Sequence, residues 1–112
     1  MAILFISRHP GAIEWMKQQP IHIDRWLTHL QIEDVKPHDV VIGILPIHLA
    51  CQVCEIGARF LALEINIPSE KRGIELQAQE LNAVACSIKE YVITHRLCLS
   101  SQSQGVFKDF SA

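Results

Sequence analysis

The amino-acid sequence predicts a small Rossmann-like α/β domain with a mostly parallel sheet and helices on both faces. Three short apolar runs, residues 2–6, 40–45 and 59–67, are typical of strands buried inside a sheet. Segments with helical signals follow these runs, and the predicted order is strand, helix, strand, strand, helix, strand, helix. Such alternation favours right-handed crossovers between parallel strands that are covered on both faces.

The first half of the chain supplies one helix and one weaker strand. Pro10 suits the first turn of a helix, where the missing N–H of proline costs nothing, and the polar residues 17–20 end that helix. Residues 21–30 alternate imperfectly and predict a strand followed by irregular chain. Residues 32–35 add one helical turn before the apolar run 40–45.

The second half continues the same alternation. Pro46 marks a helix start, and Gly57 fits the left-handed position just past the end of that helix. A strand over residues 59–67 and a polar loop follow. We expect a long helix from Ile74 to Thr94, since apolar residues recur in it at steps of three, four and three: Leu81, Val84, Ile88 and Tyr91.

Length and charge narrow the class of protein. The chain has 112 residues, 49% of them hydrophobic, which predicts one globular domain over residues 1–96 and a loosely ordered tail over 97–112. The formal net charge of −2 disfavours binding of long nucleic acid, which needs a basic excess. The longest apolar stretch is far shorter than the ~20 residues that span a bilayer. We expect a cytoplasmic protein with no membrane contact.

Polar side chains follow three strands at the edge of the sheet where ligands of parallel α/β folds bind. The residues predicted for a site at this edge are Ser7, Arg8, His9, Pro46, His48, Asn66, Lys71 and Arg72, all but Pro46 with polar side chains. Two of the loops also lead into helix N-termini, whose N–H groups favour phosphate. The edge therefore predicts a phosphate site, with side chains suited to acid–base chemistry on a phosphodiester. Plainer roles stay open: a polar turn at residues 7–10, an exposed first-turn residue at His48 and a solvated charge at Arg72.

Other residues of chemical interest favour structural roles. Arg59 begins a strand at the opposite edge, which indicates an ion pair. Cys51 and Cys54 form a CxxC motif more than a turn inside a helix, where the helix dipole no longer activates a thiol. Cys86 and Cys98 lack the compact spacing of zinc ligands. We therefore expect reduced, structural cysteines, with no metal and no cofactor.

Two segments carry a family resemblance. Residues 6–15, Ile-Ser-Arg-His-Pro-Gly-Ala-Ile-Glu-Trp, and residues 39–50, Asp-Val-Val-Ile-Gly-Ile-Leu-Pro-Ile-His-Leu-Ala, resemble the small type III CRISPR-associated proteins of the sixteenth Csx, or VVA-type, family. The resemblance extends from about residue 3 to about residue 93, through residues 57–60 and 72–76, and does not include the tail.

The resemblance implies a fold related to CARF domains, a homodimer and a ring nuclease that degrades cyclic tetra-adenylate. Metal-independent cleavage would use a ribose 2′-hydroxyl as nucleophile. In that reading Arg8 stabilises the phosphate charge, His9 is a general acid or base, and Ser7 contacts a phosphate. His48 and Arg72 then bind or close over the ring. The alternatives are a cyclic nucleotide sensor or sponge without chemistry and a structural accessory protein of a CRISPR effector complex.

Overall fold

A five-stranded sheet organises the described part of the chain. A computed structural model of the protein describes residues 1–65 and 86–97. The strands are β1 (Ile3–Ile6), β2 (Arg25–Leu27), β3 (Val40–Gly43), β4 (Arg59–Ile65) and β5 (Cys86–Tyr91), and the α-helices are α1 (Pro10–Lys17) and α2 (Ile47–Ile56). A 3-10 turn spans Ile32–Asp34.

The strand order is β2-β1-β3-β4-β5. Strands β1 to β4 are mutually parallel, and β5 joins β4 antiparallel at one edge. The predicted Rossmann-like α/β class with a mostly parallel sheet is confirmed. The order reverses between β1 and β3, because the chain first moves outward from β1 to β2 and then returns to the other side of β1.

Among the described residues, one helix packs on each face of the sheet. On one face, alternate strand residues such as Phe5, Ile42 and Leu63 pack with Trp15 and Met16 of α1. On the other face, Leu4, Val41 and Phe60 pack with Ala50 and Val53 of α2. Since successive side chains of a strand point to opposite faces, each central strand serves both cores, which is why its sequence is apolar throughout.

Most predicted elements appear with shorter ends. Helix α1 begins at Pro10 as expected, whereas the strand predicted within 21–30 is confined to the three residues of β2. Gly57 does end α2 in the left-handed conformation, with φ of 97°, and its N–H donates to the carbonyl of Cys54. These boundaries depend on proline and glycine, whose backbone requirements are local.

The predicted helix from Ile74 to Thr94 is wrong over its last part, because Cys86–Tyr91 form the strand β5. Pairing with β4 places Ile88 opposite Leu63 and Cys86 opposite Ile65, on the face covered by α1. Ile88 belongs to the helical spacing of the segment, but together with Cys86 it also shows the two-residue spacing of a strand, and cross-strand packing selects the strand. The earlier part of that prediction, residues 74–85, lies outside the described residues, as do the tail residues 98–112.

Charged side chains on β4 and β5 pair across the antiparallel ladder. Arg59 donates to both oxygens of Glu90, at 2.7 and 2.9 Å, so the ion pair predicted for Arg59 is confirmed. The hydrogen bonds and the negative charge of Glu90 raise the pKa of Arg59, and the same bonds and the positive charge of Arg59 lower the pKa of Glu90. Lys89 lies 3.7 Å from Glu64. The pairs fix the register of β5 at the edge of the sheet.

Asp39 joins the amino ends of three strands. Its buried carboxylate accepts hydrogen bonds from the N–H groups of Ala2 and Lys36, each at 3.0 Å. Its carbonyl accepts from the N–H of Arg59 at 2.8 Å. Burial opposes ionisation, but the two N–H groups, with the Met1 amine and the Lys36 charge, outweigh it and lower the pKa of Asp39. This network closes the edge opposite the predicted phosphate site.

Within the described ranges, no helix has the length and apolar character needed to cross a membrane.

Candidate functional site

The carboxyl ends of β1 and β3 lie side by side where the strand order reverses. Their last register pair joins Ile6 to Gly43. Residues 7–9 then lead from β1 into α1, and residues 44–46 lead from β3 into α2. In open α/β sheets this reversal point forms the crevice in which ligands bind. It is therefore the candidate site of this fold.

The loop after β1 is fixed by its own hydrogen bonds. Ser7 donates its N–H to the carbonyl of Leu27 at 3.0 Å, and its Oγ accepts from the N–H of His9 at 3.1 Å. His9 Nδ1 accepts from the N–H of Ala12 at 3.0 Å, which makes His9 the N-cap of α1. The polar turn that the sequence allowed at residues 7–10 is therefore present, and its histidine is the helix cap. Arg8, between them, is exposed.

This cap requires that Nδ1 of His9 carries no proton, since only an unprotonated ring nitrogen accepts a hydrogen bond. The proton of the neutral His9 imidazole is therefore on Nε2. The cap holds the ring in a defined orientation at the mouth of the crevice, and it gives His9 a structural role whatever else the side chain does.

The loop after β3 starts at a position that only glycine fits. A Cβ on Gly43 would lie 2.5 Å from the carbonyl oxygen of Ile6, well inside any ordinary contact. Pro46 is the N-cap of α2 and contributes no side-chain hydrogen bond to the first turn. His48 is exposed on that turn. Neither α1 nor α2 has an acidic residue in its first turn, so the two helix starts keep their positive character.

Five of the eight predicted site residues thus follow two adjacent strand ends: Ser7, Arg8, His9, Pro46 and His48. The other predicted residues, Asn66, Lys71 and Arg72, lie outside the described residues. The ends of β1 and β3, which these five residues follow, lie side by side in the structure, as expected for neighbouring parallel strands.

A groove runs along the outer side of α2, with a volume of about 590 Å³. It begins at His48 and passes Cys51 and Glu55, and its other side is formed by residues that follow β5, including His95 and Leu97. Within it, the Cys51 thiol donates to the Glu55 carboxylate and lies beside His95. Burial, then the Glu55 carboxylate, raises the pKa of Cys51, so this thiol is not an activated thiolate.

The sequence did not predict this cluster. Cys51 and Glu55 are four residues apart, a spacing that places two side chains on one helix face and that could have been noticed. His95 gave no usable signal, because the helix expected through residue 94 would have carried it away from α2. Cys51, Cys54 and Cys86 are free cysteines, in agreement with the predicted reduced state.

Comparison with known proteins adds one finding. Residues 4–94 match the family model described as "Putative CRISPR-associated protein (Cas_VVA1548)". Neither a curated protein nor a solved structure matches the chain. The matched range includes both loops of the crevice and the whole of α2.

Proposed function

The chain belongs to the Cas_VVA1548 family of putative CRISPR-associated proteins, and on that premise we propose that it is a ring nuclease acting on cyclic tetra-adenylate. Cleavage of this second messenger would switch off type III CRISPR signalling, as the resemblance to VVA-type proteins implies. The supporting observation is the adjacency of the β1 and β3 ends, each followed by a short loop and a helix N-terminus.

Phosphate binding is the first requirement, and the crevice has suitable chemistry. The N-termini of α1 and α2 follow the two adjacent strand ends, and neither first turn carries an acidic side chain. Arg8 is exposed between Ser7 and His9 and can place a bidentate guanidinium on a phosphate. His48 lies in the first turn of α2. Asn66, Lys71 and Arg72 follow β4 in the sequence and would add amide and cationic donors.

Cleavage would proceed without metal. A ribose 2′-hydroxyl loses its proton to water as its oxygen attacks the adjacent phosphorus, the bond from phosphorus to the 5′-oxygen breaks, and the products are a 2′,3′-cyclic phosphate and a 5′-hydroxyl. Arg8 would stabilise the negative charge that develops on the phosphorane oxygens. His9 would act as the general acid: with its Nδ1 released from the N–H of Ala12 and protonated, the imidazolium gives the Nε2 proton to the leaving 5′-oxygen and becomes neutral. The Ser7 hydroxyl would donate to a phosphate oxygen.

A homodimer suits the symmetry of this substrate. Cyclic tetra-adenylate has four phosphates and can adopt two-fold symmetry, so two copies of the crevice would each serve one half of the ring. A chain of 112 residues has few loops with which to enclose such a ligand alone. The overall charge of −2 is compatible with this partner, because a local group of donors binds a small polyphosphate without a basic surface.

The test is incubation of purified protein with cyclic tetra-adenylate in excess chelator, followed by analysis of the products. We expect linear products with 2′,3′-cyclic phosphate ends. Arg8→Ala should lower the cleavage rate by about 10²–10³-fold. His9→Asn should lower it by about 10²–10⁴-fold while keeping a side-chain acceptor for the cap of α1.

The control is His22→Ala, which removes an exposed histidine paired with Asp24 away from the crevice and should leave cleavage unchanged. Unfolding curves of the variants separate a loss of chemistry from a loss of fold. If Arg8→Ala and His9→Asn both cleave at the wild-type rate, the assignment of the site is wrong.

One observation favours the non-catalytic alternative. His9 already has a structural use as the helix cap, so its presence in the loop does not require a role in catalysis. A sensor or sponge would form a tight complex and release the ring intact. An absence of binding would remove both readings and leave the structural accessory role.

A further inference from the structure

Three side chains of different ligand types converge on the outer face of α2. Cys51 Sγ lies 3.3 Å from Glu55 Oε1, and His95 Nδ1 lies 2.9 Å from the same oxygen. The sulfur and this nitrogen are 3.8 Å apart. All three donor atoms are within 4.8 Å of one another. We propose that Cys51, Glu55 and His95 form a binding site for Zn²⁺.

The distances between donor atoms match those of a tetrahedral zinc centre. Bonds of about 2.3 Å to sulfur and about 2.0–2.2 Å to nitrogen and oxygen place pairs of ligand atoms roughly 3.4–3.6 Å apart. The sulfur–oxygen and sulfur–nitrogen distances of 3.3 and 3.8 Å lie close to these values. Only the nitrogen–oxygen distance of 2.9 Å must lengthen, by about half an ångström, to admit the ion.

The orientation of His95 distinguishes a metal site from a catalytic relay. In a relay, a histidine contacts the nucleophile with one ring nitrogen and its acidic partner with the other. Here Nδ1 faces both the Cys51 sulfur and the Glu55 oxygen. One nitrogen directed at the same point as a thiol and a carboxylate is the arrangement of ligands around an ion.

The backbone holds two of the ligands in place before any ion binds. Cys51 and Glu55 are one turn apart on α2, so their side chains lie on one face of the helix. The segment that carries His95 is attached nearby, since the N–H of Ile93 donates to Cys54 Sγ at 3.4 Å. Zinc would therefore fasten the chain that follows β5 onto α2.

An ion can reach these three side chains from solvent, and a fourth ligand position would stay open to water. Cys51 is only 8% exposed, but the side chains of His95 and Glu55 are 61% and 49% exposed along the groove. Three protein ligands with a fourth position open to water are typical of accessible zinc centres. A thiol, an imidazole and a carboxylate together favour Zn²⁺ over Mg²⁺ or Ca²⁺, which prefer oxygen ligands.

The expectation of no metal came from the spacing of the cysteines alone. The proposed centre uses one cysteine of the CxxC motif and two ligands outside it, and the second cysteine, Cys54, contacts the Tyr91 carbonyl instead. A search for cysteine-rich zinc patterns therefore overlooks it.

The experiment uses untagged, reduced protein freed of metal, without nucleotide, and titrates Co²⁺ as a spectroscopic substitute for Zn²⁺. We expect one Co²⁺ per chain, a thiolate-to-cobalt charge-transfer band, the visible bands of tetrahedral cobalt, and displacement of all of them by Zn²⁺. Cys51→Ser and His95→Ala should weaken binding at least about 100-fold, since even outer partners of a metal contribute 10–100-fold.

The matched control is Cys54→Ser, on the same helix, whose hydroxyl can keep the bonds to Tyr91 and Ile93. It should leave the charge-transfer band intact. His95→Ala replaces an exposed residue beyond the last strand, so circular dichroism should show a folded protein even if Cys51→Ser fails to fold. The proposal is overturned if no band forms, if the band survives His95→Ala, or if Cys54→Ser abolishes it. Because no nucleotide is present, these outcomes are independent of ring cleavage.

Discussion

Replacement of Gly43 by alanine tests how closely β1 and β3 approach at the crevice. The added Cβ would lie 2.5 Å from the carbonyl oxygen of Ile6, whereas real Cβ atoms essentially never come within 3.0 Å of such an atom. The obstacle is backbone, so no side-chain rotation relieves it. The two strands must separate by at least half an ångström at their last register pair.

The expected cost follows from two opposing effects. Overpacking of this kind costs about 1–3 kcal/mol, and the reduced freedom of alanine in the unfolded chain returns about 0.4–1 kcal/mol. We expect a net loss of about 1–2 kcal/mol in the free energy of unfolding, and a Tm lower by about 4–8 °C. Urea unfolding followed by circular dichroism measures the first quantity, with an unchanged slope if only stability has altered.

Gly57 provides the contrast for this experiment. A Cβ there would meet Pro37 at an ordinary 3.8 Å, so the cost of Gly57→Ala comes from the left-handed backbone alone. Asparagine tolerates that conformation, and Gly57→Asn should therefore be milder than Gly57→Ala. Gly43→Asn should be no milder than Gly43→Ala, because both carry the clashing Cβ. An unchanged unfolding midpoint for Gly43→Ala would refute the reasoning.

Two further predictions concern the charged groups of the fold. Asp39→Asn replaces an acceptor of two backbone N–H groups and should cost about 1.5–3 kcal/mol at neutral pH. Because folding lowers the pKa of Asp39, its carboxylate contributes fully to stability above the pKa of the unfolded chain, about 3.9. This stability is lost as the pH falls through the lower pKa of the folded protein. Urea unfolding over a pH series should therefore show the unfolding free energies of the variant and the wild type converging at low pH. Arg59→Ala breaks an exposed pair with Glu90 and should destabilise less than Asp39→Asn, by an amount that shrinks in thermal melts at high salt.

A different result would contradict each of these two predictions. A gap between Asp39→Asn and wild type that stays constant down to low pH would mean that the charge of Asp39 does not contribute. A loss in Arg59→Ala that is independent of salt would assign the effect to packing of the arginine stem.

The elements that the sequence predicted well are those encoded by short local signals. The apolar runs of β1 and β3 identify buried strands, while Pro10 and Gly57 mark a helix start and a helix end. The loop residues Ser7, Arg8 and His9 could be assigned to the ligand-binding edge for the same reason, since they directly follow a parallel strand.

The elements that the sequence missed depend on partners distant along the chain. Ile88 fits a helical stripe as well as a strand, and it is the pairing with Leu63 in β4 that decides between them. Once that strand is misassigned, the position of His95 cannot be inferred, and neither can its approach to Cys51 and Glu55. The candidate metal cluster thus depends on tertiary structure, whereas the proposed phosphate site depends mainly on the order of strands and loops along the chain.

The position of β1 has a consequence for how the domain assembles. It precedes every other strand in the chain, yet it lies inside the sheet between β2 and β3. During synthesis the backbone groups on both edges of β1 therefore stay unpaired until β2 and β3 have been made. Ile3 can pair with Val40 only after α1, β2 and the 3-10 turn have emerged. Any product that stops before β3 would expose an unpaired apolar strand, which favours aggregation. Formation of the sheet thus depends on β3, the same strand that completes the crevice.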